Sequence, residues 1–249
     1  MSVLGIETAT EVCGSALVEN GLVLAEKWFE ARQMHSEKLV LLIDETLRSR
    51  DFMLTNVDAI AVSIGPGSFS GLRIGLSVAK GLAFACGVPI IAVPTLYALA
   101  QRAVTERLAG QEGRILSLVD ARRDEIYAAL YTPDAGELEE VIAPCAVSTR
   151  ELEAIISRPD MPAGISIVLM GDGAEKFEKF HASVQSYPGR ALRFSIPSRE
   201  RRLCRAASVA IIGEQKFYRG EIADSPSLEP LYVKEFYTTM KLQPNEAHR

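Results

Sequence analysis

Histidine is scarce in this chain. His35, His181 and His248 are the three in 249 residues, and no two of them stand at the spacing that puts metal ligands on one helical face. Three dispersed imidazoles also leave no plausible base beside a Ser or Cys nucleophile. Cysteine is equally thin. Cys13, Cys86, Cys145 and Cys204 form no C-x-x-C pair, which argues against a zinc site or a disulfide framework and fits a reducing cytosolic compartment. Basic excess is missing: the net charge is −5, whereas a free-standing nucleic-acid binder usually carries positive charge to offset phosphates. No stretch approaches the roughly 20 apolar residues of a membrane helix. Met1-Ser2-Val3-Leu4 places no basic segment before an apolar run, so no leader is expected. What is present, 48% hydrophobic and 24% charged residues, suffices for one large domain or two modest lobes.

Residues 2–7, 12–18 and 22–30 read as strands, and Asn20-Gly21 marks a hairpin between the last two. A helix is expected from His35 to about Arg50, a strand buried on both faces over 57–64, and a glycine loop over 65–71. A helix over about 70–86, a strand over 90–93 and a helix from Thr95 follow. Gln111-Glu112-Gly113 marks a boundary. Beyond it lie a hairpin (115–119 and 125–131), a strand over 138–147, a helix near 149–157, a strand over 165–170 and a helix from Glu175. The second half echoes the first, strands and then βα alternation, which predicts an α/β molecule of two related lobes. They are expected over 1–108 and 109–249, the C-terminal helical region packing back on the first lobe and a flexible tail starting near Lys241.

The helix after the glycine loop carries Gly71, Gly75, Ala79 and Ala83 at four-residue intervals. An interior glycine costs about 1 kcal/mol against alanine. Sequences accept that where another backbone must come close. In the preceding helix Leu39-Val40-Leu41-Leu42-Ile43 are apolar in succession, wider than the roughly 100° stripe that faces one core. Some of these side chains should form an exposed contact patch. Packing of the two helices on each other and on the sheet explains the pattern equally well.

Three motifs together resemble a known family: Gly65-Pro66-Gly67-Ser68-Phe69-Ser70-Gly71-Leu72-Arg73-Ile74-Gly75 with Ala79-Lys80-Gly81-Leu82-Ala83, the opening Leu4-Gly5-Ile6-Glu7-Thr8-Ala9-Thr10, and Pro230-Leu231-Tyr232-Val233 near the end. With His35-Ser36-Glu37, Pro89-Ile90-Ile91-Ala92-Val93 and Asp120-Ala121-Arg122, they are similar to the TsaB (YeaZ) family of the ASKHA superfamily. The resemblance covers about the first 130 residues, with the middle of the second lobe matching loosely.

It implies a two-lobed ASKHA (actin-like ATPase/RNase H-like) α/β fold, with mixed sheets flanked by helices. It further implies a non-catalytic scaffold that pairs with TsaD for threonylcarbamoyl transfer to adenosine 37 of ANN-decoding tRNAs. TsaE would join a larger complex, the chain alone would form a homodimer, and tRNA would be met through the complex. No cofactor, metal or membrane is implied, and the compartment would be cytoplasmic. The family pairs through the first two helices of its first lobe. Here that points to His35, Leu39, Val40, Leu42 and Ile43, and to Gly71, Arg73, Gly75, Val78, Ala79 and Leu82. A bulky residue at Gly75 or Ala79 is then expected to block pairing while leaving the fold intact.

The catalytic relative carries a His-x-x-x-His metal pair, whose matching positions here are Thr95 and Leu99. Neither replaces an imidazole nitrogen. Glu7 could sit near a Mg²⁺-phosphate, or could end its strand bonded to the neighbouring loop. Met170-Gly171-Asp172-Gly173-Ala174 could meet an adenosine or simply turn a strand into a helix. The 65–71 loop feeds a helix N-terminus, but it lacks the G-K-[ST] ending and Pro66 has no N–H to offer. The turn Asp120-Ala121-Arg122-Arg123-Asp124-Glu125 reads as a solvated hairpin tip, or as a contact with TsaE, TsaD or RNA. From Tyr187 to Arg219 eight Lys/Arg stand against two acids, either a solvated helix face or an edge that tRNA approaches. The rival functions are an active ATP-dependent transferase or kinase, needing ATP bound by this chain alone, and a peptidase.

Overall fold

The computed structural model describes residues 1–30, 34–110, 113–134, 137–158, 164–183 and 192–233. Asn20 and Gly21 both take left-handed backbone, φ 51° and 77°. That suits the tight turn that folds β2 (Val12–Glu19) back on β3 (Leu22–Glu30). β1 (Ser2–Glu7), β4 (Ala59–Gly65) and β5 (Ile90–Pro94) complete a sheet ordered β3-β2-β1-β4-β5. Its first three strands run antiparallel; β1, β4 and β5 run parallel.

The second sheet repeats this plan. β6 (Arg114–Asp120), β7 (Glu125–Asp134) and β8 (Glu137–Ser148) are an antiparallel meander, and β9 (Ser166–Met170) and β10 (Arg193–Ser195) add parallel to β6. Read from β8, the order is β8-β7-β6-β9-β10, strand for strand the arrangement of the first. Duplication of one mixed sheet agrees with the two-part α/β plan that the repeated order of strands and helices predicts.

Alternation of side chains along β1 and β4 builds two cores. Leu4, Ile6, Ile60 and Val62 face α1 (His35–Arg48) and α2 (Phe69–Cys86), meeting Leu39, Ile43, Leu76 and Ala79. Val3, Ala59 and Ala61 face the other way, toward α7 (Ala206–Tyr218) and α3 (Thr95–Thr105). The same cluster takes in Ile115, Val119, Val168 and Met170 of the second sheet, so α3 and α7 lie in a core shared by both. The far face of the second sheet is closed by α4 (Thr149–Ile156) and α5 (Ala174–Ser183) through Leu152, Ile156 and Phe177. A short α6 (Arg199–Arg202) hands the chain from β10 to α7.

Two sequence expectations fare differently. α2 reaches the length and mean hydropathy, 1.2 over 18 residues, of a spanning segment. In this fold it lies against β4 with Leu72, Leu76 and Ala83 buried, which gives its apolar character a packing explanation. The tail expected from Lys241, and Gln111-Glu112, lie outside the described residues.

Candidate docking face

α2 begins where Ser68 accepts a hydrogen bond from the Gly71 N–H, and ends at Gly87 in left-handed backbone, φ 69°. Its direction is fixed by close approach to the chain's own β1–β2 loop. A Cβ on Gly67 would lie 2.1 Å from the Ala9 carbonyl oxygen, one on Gly71 2.1 Å from the Thr8 carbonyl oxygen, and one on Gly75 2.1 Å from Thr8 Oγ1. The small-residue ridge therefore faces inward. Gly71, Gly75 and Ala79 are buried, and so are Leu39, Ile43 and His35 on α1. His35 Nε2 reaches the Thr10 carbonyl at 3.2 Å, tying the start of α1 to the same loop. The expectation of a docking ridge through Gly75 and Ala79 is corrected: the backbone that comes close is this chain's own.

What remains outward is the opposite side of the same two helices. Val40 and Leu41 are 57% and 54% exposed on α1, with Leu42 half-buried below them. On α2, Val78 and Leu82 continue a half-exposed apolar row begun by Ile74. Phe84 is 92% exposed at its C-terminal end, and Arg73 is exposed at its N-terminal end. Of the eleven candidates from the sequence, Val40, Leu42, Arg73, Val78 and Leu82 can reach a partner without unfolding. Phe84 and Ile74 were missed, although Ile74-Val78-Leu82 repeats every four residues as plainly as the glycines do.

A second missed contribution comes from the C-terminal segment. The Leu231 N–H donates to the Ile64 carbonyl at 2.7 Å, and this lays Tyr232 on the start of α2. The Tyr232 and Phe69 rings lie 5.7 Å apart. The Arg73 guanidinium stacks 3.8 Å over Phe69 and its Nε donates to the Tyr232 hydroxyl at 3.4 Å. The N-terminal end of the face is thus a cation–aromatic clasp joining residues far apart in sequence.

The positions at which the sequence offered a reaction or nucleotide site are engaged by the chain's own groups. Glu7 is wholly buried; its Oε1 accepts from the Ala9 N–H at 2.8 Å and the Thr10 N–H at 3.2 Å, and Cys204 Sγ donates to its Oε2 at 3.3 Å. Burial pushes its carboxyl above the usual range, while these hydrogen bonds oppose the rise. Thr95 and Leu99 are both wholly buried, and Leu99 packs against Gly171. A Cβ on Gly171 would lie 2.0 Å from the Leu118 carbonyl, so that glycine serves the strand-to-helix turn. Among the described residues no three His, Cys, Asp or Glu side chains gather as a metal-ligand set.

The basic stretch is largely neutralised by distant acids. Arg199 pairs with Glu11 and Glu30, Arg201 with Glu106, Arg202 with Glu175, Arg205 with Glu26, Lys216 with Glu221 and Arg219 with Glu137. Arg205 also stacks 3.6 Å over Trp28. These bases fasten the 199–205 connection to β3, to the end of α3 and to α5, so most of the local excess of charge is matched by carboxylates. Tyr187 and Arg190 lie outside the described residues.

A family model described as TsaD, tRNA N6-adenosine threonylcarbamoyltransferase, matches residues 29–221. The chain is 37% identical over 156 residues to the tRNA threonylcarbamoyladenosine biosynthesis protein TsaB of Escherichia coli K12. That match covers 60% of this chain and 66% of the relative, just under two thirds of its length. The TsaB of Bacillus subtilis 168 is 28% identical over 236 residues, 94% of each chain. The chain belongs to this family, among its TsaB (YeaZ) members. The solved structure titled YeaZ from Pseudomonas aeruginosa superposes with a TM-score of 0.74 at 28% identity, over 93% of this chain and 99% of that one. The two TsaB relatives are named as biosynthesis proteins for threonylcarbamoyladenosine in tRNA, and the family model covers the chain from the end of β3 to beyond α7.

Proposed function

We propose that this chain is a non-catalytic subunit of tRNA threonylcarbamoyladenosine synthesis that docks the transferase TsaD through the outward side of α1 and α2. The observation that carries the reading is the apolar set of exposed Val40 and Leu41 on α1 with half-buried Leu42, Ile74, Val78 and Leu82 at the rim of the α1–α2 core, on helices whose inner sides are already used. The family matches support the choice of partner, since the matching model bears the transferase's name and the relatives bear the pathway's. The burial of Glu7, Thr95 and Leu99 among the chain's own groups favours a supporting role over a chemical one. In the same reading the free chain self-associates through this face, TsaE joins the assembled pair, tRNA is modified by the complex and the compartment is cytoplasmic.

The test is co-elution with TsaD on gel filtration. Val40→Glu with Val78→Glu is expected to abolish co-elution while leaving the melting temperature within a few degrees of wild type, since both sites are solvent-accessible. Undiminished co-elution of that double variant sinks the reading.

A further inference from the structure

The turn between β6 and β7 is built against local preference. Arg122 and Arg123 are consecutive left-handed residues, φ 67° and 49°, a backbone that Gly and Asn adopt more readily than Arg. Left-handed backbone is costly for a residue with a Cβ, which crowds the following carbonyl oxygen. The surroundings hold the turn regardless. Lys176 Nζ bonds Asp120 Oδ1 at 2.9 Å and the Glu125 carbonyl at 2.8 Å. The Arg122 N–H donates to Asp120 Oδ1 at 3.0 Å, and the Asp120 N–H to Asp172 Oδ1 at 2.9 Å. The Thr149 N–H donates to the Asp124 carbonyl at 3.2 Å.

That last bond brings Arg150 beside the turn. It is exposed in the first turn of α4, where a cation opposes the helix dipole by about 0.3–1 kcal/mol. So three exposed arginines stand at one end of the second sheet, each placed where stability alone would put something else. None of the ion pairs among the described residues involves them, in contrast to the arginines of the 199–205 connection. Of the neighbouring acids, Asp120 is bonded to Lys176 and Glu151 is turned into the Ser148 cap, while exposed Asp124 and half-buried Glu125 stand beside the three guanidiniums. Strain kept in place by a rigid surround points to use rather than accident.

We propose that Arg122, Arg123 and Arg150 form a contact for the phosphodiester backbone of RNA. Guanidiniums suit this, being planar multidentate donors to phosphate oxygens that stay charged at every working pH. The choice of RNA as the polyanion rests on the docking subunit's place in tRNA modification; the choice of residues does not.

The full chain is titrated with a tRNA transcript at low salt and again with salt added. Wild type is expected to bind weakly, with affinity falling steeply as salt rises. Arg122→Asn with Arg123→Gly installs residues that tolerate left-handed backbone and removes both charges. It is expected to weaken RNA binding about tenfold and to flatten the salt slope by about 1.5, two phosphate contacts' worth. Its melting temperature is expected to match or exceed wild type, because the strain is gone. Arg150→Gln should weaken binding independently, without loss of stability. No binding by wild type at low salt, unchanged binding by the double variant, or a double variant that melts well below wild type would each overturn the proposal. Co-elution of the double variant with TsaD is expected to be unaffected, so the docking reading and this one fail separately.

Discussion

Thr8 Oγ1 rests in the notch that Gly75 leaves on α2, where a Cβ would come within 2.1 Å of it. Helix propensity alone favours alanine at that position by about 1 kcal/mol. The clash reverses the sign, since Thr8 is wholly buried and has nowhere to retreat. Gly75→Ala is expected to destabilise by about 1–3 kcal/mol net, and Gly71→Ala by more because its obstacle is backbone. A methyl on Gly81, in the same helix, would meet nothing within 4 Å; Gly81→Ala should stabilise by about 0.5–1 kcal/mol. Urea midpoints of the three variants test this. If Gly75→Ala matched Gly81→Ala, the close approach to Thr8 would be wrong.

Arg205 and Arg199 should differ sharply in value. Arg205 is buried, bonded to Glu26 at 2.8 Å and stacked on Trp28, so Arg205→Ala leaves the half-buried Glu26 carboxylate short of a partner and is expected to cost about 1–3 kcal/mol. The side chain of Arg199 is 45% exposed, and solvent screens its pairs with Glu11 and Glu30; Arg199→Ala should cost about 1 kcal/mol or less. Denaturant melts giving the opposite order would refute the burial argument.

Acid should act through His35. Burial lowers its imidazole below the usual 6.5. Above 6.5 it is neutral folded and unfolded, and the native contact with Thr10 is intact. As pH falls through 6.5 the unfolded chain takes up the proton first, so stability is lost down to the lowered native value. His35→Gln keeps an N–H donor and removes the titration. The stability advantage of wild type over this variant is expected to shrink from about pH 7 to about pH 5. An advantage constant across that range would mean His35 does not titrate differently in the two states.

The cysteines should label in order of access. Burial pushes the Cys13 thiol up to about 12, and burial beside Glu7 holds the Cys204 thiol well above its usual range. Neither should react with a maleimide in the native protein at neutral pH, because the thiolate is the nucleophile. Cys86, half-buried at the end of α2, should react first. Early modification of Cys204, located by mass spectrometry, would contradict its burial beside Glu7.

Elements with local causes were legible in advance. Asn20-Gly21 announced its hairpin through residues that tolerate left-handed backbone, and the near-continuous apolar run ending at Ile64 announced a strand buried on both faces. Direction was not legible. Gly71, Gly75 and Ala79 say that a backbone comes close, but the identity of that backbone depends on the loop at Thr8, more than sixty positions earlier. The charge of the 199–205 connection misled for the same reason. Its neutralising partners Glu11, Glu26, Glu30 and Glu106 lie roughly 95 to 190 residues away, beyond any window of sequence. The Arg122–Arg123 turn was visible as a charged tip, while its strain appears only in the backbone angles.

The return of α7 to the first sheet carries a cost in time. Gly5 and Gly213 let that helix settle onto β1 and β4, a Cβ on Gly213 falling 2.3 Å from the Ala61 methyl and one on Gly5 2.4 Å from the Ala206 carbonyl. The surface holding Val3 and Ala61 therefore waits uncovered from its emergence at the ribosome until residues 206–218 are made. For most of synthesis the nascent amino-terminal half carries a bare apolar wall, a natural client for a holding chaperone.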